Sequence, residues 1–123
     1  MTREITYNNA VVRRRMVDRK FVGWMNPPYP RDVLQRAVDW IEGCGLTLWL
    51  LMVWRDDACG RQARALATQH MLLPVGVRLF RSSRNGYQNA AAPCPYPMAL
   101  FCFDRRPPGT KPPLTMPTIP PAI

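Results

Sequence analysis

Four cysteines (Cys44, Cys59, Cys94 and Cys102) and one histidine, His70, are the residues of this chain with the widest chemical repertoire. Their spacing does not suit a metal, because structural zinc sites draw on closely stepped Cys or His pairs and none occurs here. Cys44 lies in an apolar stretch and reads as a small buried hydrophobe. Cys94 and Cys102 are candidates for a short disulfide-closed loop in an oxidising compartment, a pairing that spacing alone does not establish. His70 has no partner of the kind nucleophilic catalysis needs, and Ser82-Ser83 lack the glycine-flanked context of a nucleophile elbow. Asp56 and Asp57 are adjacent, so on a helix they would point about 100° apart. They suit a helix end and a cap better than a metal or acid–base pair. With no glycine-rich phosphate loop either, the expectation is a protein without catalytic, cofactor-binding or metal-binding residues.

The arginines are a more serious candidate. The chain has 17 basic residues against 8 acidic ones, a formal charge of +9, and only Lys20 and Lys111 are lysines. The basic residues cluster as Arg13-Arg14-Arg15 with Arg19 and Lys20, then Arg78, Arg81 and Arg84, then Arg105-Arg106. Arginine grips phosphate bidentately and stacks on bases, which suits RNA. A basic run beside a membrane helix instead holds anionic headgroups, cardiolipin among them.

The elements that would position these residues follow from pattern. Residues 1–30 form a basic, irregular lead; its Glu4 and Asp18 argue against a targeting presequence. Asn26-Pro27-Pro28-Tyr29-Pro30 breaks any helix. From Arg31 the spacing of Val33, Leu34, Ala37, Val38, Trp40 and Ile41 is helical, with Asp32 in the first turn. Gly43 to Trp54 then carries no charge and no polar face, including Leu46, Leu48, Trp49, Leu50, Leu51, Met52, Val53 and Trp54. A helix apolar all round is buried or in lipid. Those 12 residues would span roughly 18 Å, and extension back to Ala37 roughly 27 Å, against a hydrocarbon core of ~30 Å. Trp40 and Trp54 bracket the run as an interfacial belt would. The expectation is therefore one apolar helix over 31–57 that spans a membrane, with neighbours covering Asp39, Glu42 and the Gly43/Gly45 notch.

Residues 58–73 read as a second, amphipathic helix through Ala63, Leu66, Ala67, His70 and Met71. Val75–Phe80 could form a short strand, and Asn85-Gly86 is a hairpin-type dipeptide. Ten of the 14 prolines fall at Pro93 or later, which favours extended or polyproline II backbone. Met98–Phe103 is an apolar island in that tail and reads as an anchor. Such a tail does not order itself by burial, so it is expected to lie as a strap on other chains. The fold class expected is mainly α and non-globular, with 74–123 irregular and Pro-rich.

In layout alone, residues 13–57 resemble the single-span supernumerary subunits of mitochondrial respiratory complexes or ATP synthase, though no family motif carries the likeness. The resemblance implies a structural accessory subunit of an inner-membrane complex, bound to other subunits and to phospholipid such as cardiolipin. Eight basic residues precede the apolar run, which by the positive-inside bias would place the N-terminus on the matrix side. The other reading is a basic, RNA-contacting protein of an organellar ribosome. The +9 charge favours it, and the unbroken apolar run from Leu46 to Trp54 weighs against it.

Overall fold

A computed structural model of the chain describes residues 22–78 and 94–119 in full and the backbone of residues 2–7 and 10–15. The chain runs β1 (Thr2–Tyr7), β2 (Ala10–Arg15), β3 (Gly23–Met25), α1 (Arg31–Cys44), β4 (Leu48–Val53), α2 (Ala58–Leu66), β5 (Gln69–Leu72) and β6 (Met98–Phe103). β1 and β2 form an antiparallel hairpin, and the other four strands form a mixed sheet in the order β3-β4-β6-β5. β3 is parallel to β4, whereas β6 runs antiparallel to both β4 and β5. This is a small α/β fold, so the expected mainly α, non-globular architecture is overturned.

The first helix begins where the sequence places it. Pro30 sets the entry, its carbonyl accepts from the Leu34 amide at 3.0 Å, and Asp32 occupies the first turn. Leu34, Ala37, Val38 and Ile41 recur at helical spacing and are all fully buried. The helix ends at Cys44 because Gly45 turns into the left-handed region at φ 65°, which glycine enters without a Cβ clash. The Cys44 thiol tightens this end, lying 3.4 Å from the Ile41 carbonyl and 3.4 Å from the Leu46 amide.

The apolar run that follows is a strand. Leu48–Val53 forms β4, flanked by β3 and β6. Leu48, Leu50 and Met52 face the helices, and Trp49, Leu51 and Val53 face the opposite side. A strand covered on both faces carries no polar alternation, which is why the sequence looks like an all-round apolar helix. Among the described residues no helix is long and apolar enough to cross a membrane. That overturns the expected 31–57 span, the matrix-side orientation derived from it and the inner-membrane placement.

Two layers of core follow from strand alternation. Met25, Leu48, Leu50, Met52, Ala99, Phe101 and Phe103 meet α1 and the Cys59 and Ala63 positions of α2. On the reverse face, Leu51, Met98 and Leu100 are buried with Leu73 and Val77, and the half-buried Met116 and Ile119 of the tail pack against them. All six residues of β6 are buried. The expected tail anchor is thus an inner strand of the sheet. The expected second helix is shortened, since Ala67 turns extended at Leu66 and the Thr68 amide joins the Cys102 carbonyl at 2.8 Å, opening β5. Val75-Gly76 forms a turn rather than the start of a short strand, and residues 79 and 80, like Asn85-Gly86, lie outside the described residues.

The described part of the proline-rich tail lies as a strap on its own sheet. The Arg106 guanidinium grips Asp104 through two contacts of 3.0 and 3.1 Å and donates to the Pro112 carbonyl at 3.1 Å. Further along, Gln69 Nε2 donates to the Leu114 carbonyl at 2.6 Å. These anchors lay Met116 and Ile119 across the face that Leu51 and Leu100 would otherwise expose.

Candidate functional site

The residues singled out from sequence are apolar and aromatic residues, cysteines, aspartates and arginines. Leu46, Leu48, Leu50, Leu51 and Met52 are core, and Trp40 packs half-buried against the same cluster. Trp54 is also half-buried, its Nε1 donating to Asp56 at 3.2 Å and its ring carrying the Arg64 guanidinium 4.5 Å away. Neither tryptophan forms a membrane belt. His70 lies near two rings, 5.8 Å from Phe101 and 6.3 Å from Trp54 between centroids, on the edge strand β5.

All four cysteines are free thiols. Cys102 is fully buried on β6, and burial in apolar surroundings pushes its thiol up to about 11, with Asp104 adding to the shift. Burial likewise raises Cys59. Neither is a thiolate near neutral pH, so neither is activated as a nucleophile. Among the described residues no group of His, Cys, Asp and Glu is placed to hold a metal.

Of Asp56 and Asp57 only the second takes the capping role expected of the pair, and what they follow is a strand; Asp56 instead accepts from Trp54 and lies 3.9 Å from Arg64. Asp57 caps α2, accepting from the Gly60 amide at 3.1 Å. Arg55 donates to Asp57 at 2.8 Å through Nε and 2.7 Å through Nη2. The Arg55 hydrogen bond, with help from the Gly60 amide and from Arg31, holds the Asp57 carboxyl down at about 2. A second polar link joins the helices, where Gln35 and Gln62 bond each other at 2.7 Å and both reach Asp39 at 3.0 Å.

The arginines of the folded body are therefore largely occupied within it. Arg31, Arg36, Arg55, Arg64 and Arg106 all lie within 4.0 Å of an aspartate. Arg64 also donates to the Arg55 carbonyl at 2.7 Å, and Arg61 to that of Asp56 at 2.9 Å. Most of the excess charge lies outside the body, in residues 1–21 and 79–93. Arg13, Arg14 and Arg15 end β2, in register with Glu4, Arg3 and Thr2 of β1. One cross-strand pair is thus Arg14 opposite Arg3, and like charges directly opposite destabilise a hairpin unless an anion intervenes. Arg19, Lys20, Arg81 and Arg84 lie outside the described residues.

The strand β2 runs alongside β3, the edge of the main sheet. On β3, Trp24 is in parallel register with Trp49 of β4. Trp24 is 53% exposed, unusual for the largest apolar side chain. With Trp49, Leu100, Thr115 and Pro117 it lines an open cavity of about 380 Å³. Nothing in the sequence around Trp24 marks it out. No local signal links residues 24 and 49; only strand pairing puts the two indoles side by side. A second cavity, of about 400 Å³, is lined by Thr68, Asp104, Arg106 and the Pro107–Leu114 turn, but its arginine is fully engaged in fastening the tail. No protein-family model matches the chain, and comparison with curated proteins and with solved structures finds no significant match.

Proposed function

We propose that this chain is a non-catalytic structural protein of a ribonucleoprotein assembly, with the β1–β2 hairpin contacting the RNA backbone and the α/β body serving as scaffold. The segregation of charge carries the reading. Residues 22–78 and 94–119 hold nine basic residues against six acidic ones, and five of those arginines are ion-paired within the body. Outside those segments the sequence has eight basic residues against Glu4 and Asp18, and four of the eight, Arg3, Arg13, Arg14 and Arg15, lie on the hairpin. Three consecutive arginines on one strand and an Arg3–Arg14 cross-strand pair favour a dense anion as partner. The body supplies surface for neighbouring proteins, with Leu72 and Val75 exposed at the β5 edge.

The test is anisotropy titration of a labelled single-stranded RNA over a range of salt concentrations. Binding is expected to weaken steeply with salt, and Arg13, Arg14 and Arg15 together replaced by Gln should flatten the log–log slope by about 2, at ~0.7 per phosphate contact on single strands. Anionic vesicles containing cardiolipin serve as the rival ligand. Tight vesicle binding without RNA binding at low salt would overturn the reading.

A further inference from the structure

We propose that Trp24, with Trp49 beside it, is a stacking platform for an unpaired RNA base, so that the protein takes single-stranded rather than duplex RNA. The inference rests on the RNA-contacting reading and names the surface that would discriminate among RNAs. Three observations converge on it.

The first is exposure without partner-covering. Trp24 is 53% exposed, although the tail that covers the rest of this sheet face passes close by at Thr115 and Pro117. Met116 and Ile119 pack against the cluster that holds Leu51 and Leu100, and the Trp24 indole stays about half exposed at the sheet edge. The second is support. The parallel register sets Trp49, half-buried and packed on the reverse-face core, next to Trp24. Leu100, 6% exposed, forms part of the cavity floor. A base sliding onto Trp24 would thus meet an open cavity of about 380 Å³, within the ~300–1,000 Å³ usual for small-ligand sites. The third is charge. β3 is the strand next to β2, whose last three residues are Arg13, Arg14 and Arg15. Aromatic faces beside a basic track are the arrangement by which single strands are held, bases on the rings and phosphates on the cations. Helical RNA keeps its bases stacked on one another and offers no free face to an indole.

The experiment uses the full chain with labelled U12 and A12 oligonucleotides, a 12-base-pair RNA duplex, and a proline-rich peptide as competitor for an aromatic groove. Wild-type protein is expected to prefer the single strands and to lose tryptophan fluorescence on binding. Trp24→Ala should weaken single-strand binding roughly 5- to 150-fold, the range for loss of one base–aromatic stack, with the salt slope unchanged. Trp24→Phe should restore most of the affinity, and thermal melts of both variants should stay close to wild type because Trp24, about half exposed, lies outside the buried core. Single-strand affinity unaffected by Trp24→Ala, equal affinity for the duplex, or displacement of RNA quenching by the peptide at lower concentration would each overturn the platform while leaving the arginine-dependent binding in place. Absence of all RNA binding would overturn both.

Discussion

Gly60 lies so close beneath the carbonyl of Arg55 that a Cβ at position 60 would overlap that oxygen far inside van der Waals contact. That oxygen also accepts from the Arg64 guanidinium at 2.7 Å, and the Gly60 amide is the one that Asp57 caps. The β4–α2 corner is thus closed by backbone approach, and the glycine is there because nothing larger fits.

Gly60→Ala should therefore destabilise the fold by about 3 kcal/mol, the upper range for overpacking, since backbone atoms have no rotamer through which to yield. Gly43, near the end of α1, has open space where its Cβ would lie. Gly43→Ala should stabilise by about 0.5–1 kcal/mol through the lower entropy of the unfolded chain. Urea denaturation of the two variants beside wild type checks both signs.

Acid stability should show the Asp57 cap. Its carboxyl titrates at about 2 in the folded chain against an ordinary value of 3.8, so the unfolded chain binds the proton more readily. The stabilisation is fully present above about pH 4 and drains away as pH falls from about 4 to about 2. Asp57→Ala should cost about 1–2 kcal/mol at pH 7, as loss of a helix cap does, and should flatten the stability profile across that window. A profile for Asp57→Ala that parallels wild type between pH 2 and 4 would count against the cap.

Leu50 separates the strand from the membrane helix that the sequence suggests. It is fully buried between α1 and the sheet, with Phe101 its partner in register on β6. Leu50→Ala should cost about 2–5 kcal/mol in detergent-free buffer, and Leu50→Met under about 1.5 kcal/mol. Denaturation curves of both proteins in water provide the measurement.

Thiol reactivity should rank by burial. Cys102 and Cys59 are buried and their thiols raised, whereas Cys44 and Cys94 are half-buried. A brief iodoacetamide pulse at pH 8, read by mass spectrometry, should label Cys44 and Cys94 ahead of the other two. Addition of urea should remove the difference.

Truncation before Leu114 tests the strap. It removes the carbonyl that Gln69 bonds and the Met116 and Ile119 side chains that cover the reverse face. The shortened chain should bind a hydrophobic dye and melt at lower temperature, because Leu51 and Leu100 would be left against water.

Much of this protein is local and legible in its sequence. Pro30, Asp32 and the Leu34, Ala37, Val38, Ile41 spacing specify α1, since helix entry and a buried stripe are written within one segment. Asp57 as a cap is equally local, because the bond it makes is three residues away. The end of α1 was also present in Gly45, a glycine just past a periodic run, but the apolar residues beyond it drew the helix onward. What the sequence does not contain is the choice made by Leu48–Val53. Leucine and methionine are good helix formers, and six apolar residues satisfy a buried strand as well as a buried helix. The choice rests on β3 before it, which pairs Gly23 with Leu48, and on β6 after it, which pairs Phe103 with Leu48, both far off along the chain and both engaging its amides and carbonyls.

The same holds for the candidate site. Composition determined that the chain is strongly basic, but not that Asp57, Asp56, Asp32 and Asp104 occupy five arginines of the body. Nor did it determine that the proline tail folds back onto its own sheet, or that Trp24 stands beside Trp49. The sequence by itself determined helix caps, the amphipathic stripe and the net charge, all of which depend on neighbours within a turn or two. Tertiary structure decided strand against helix, which charges are spent internally, and which aromatic face remains in water, because each depends on contacts between residues far apart along the chain.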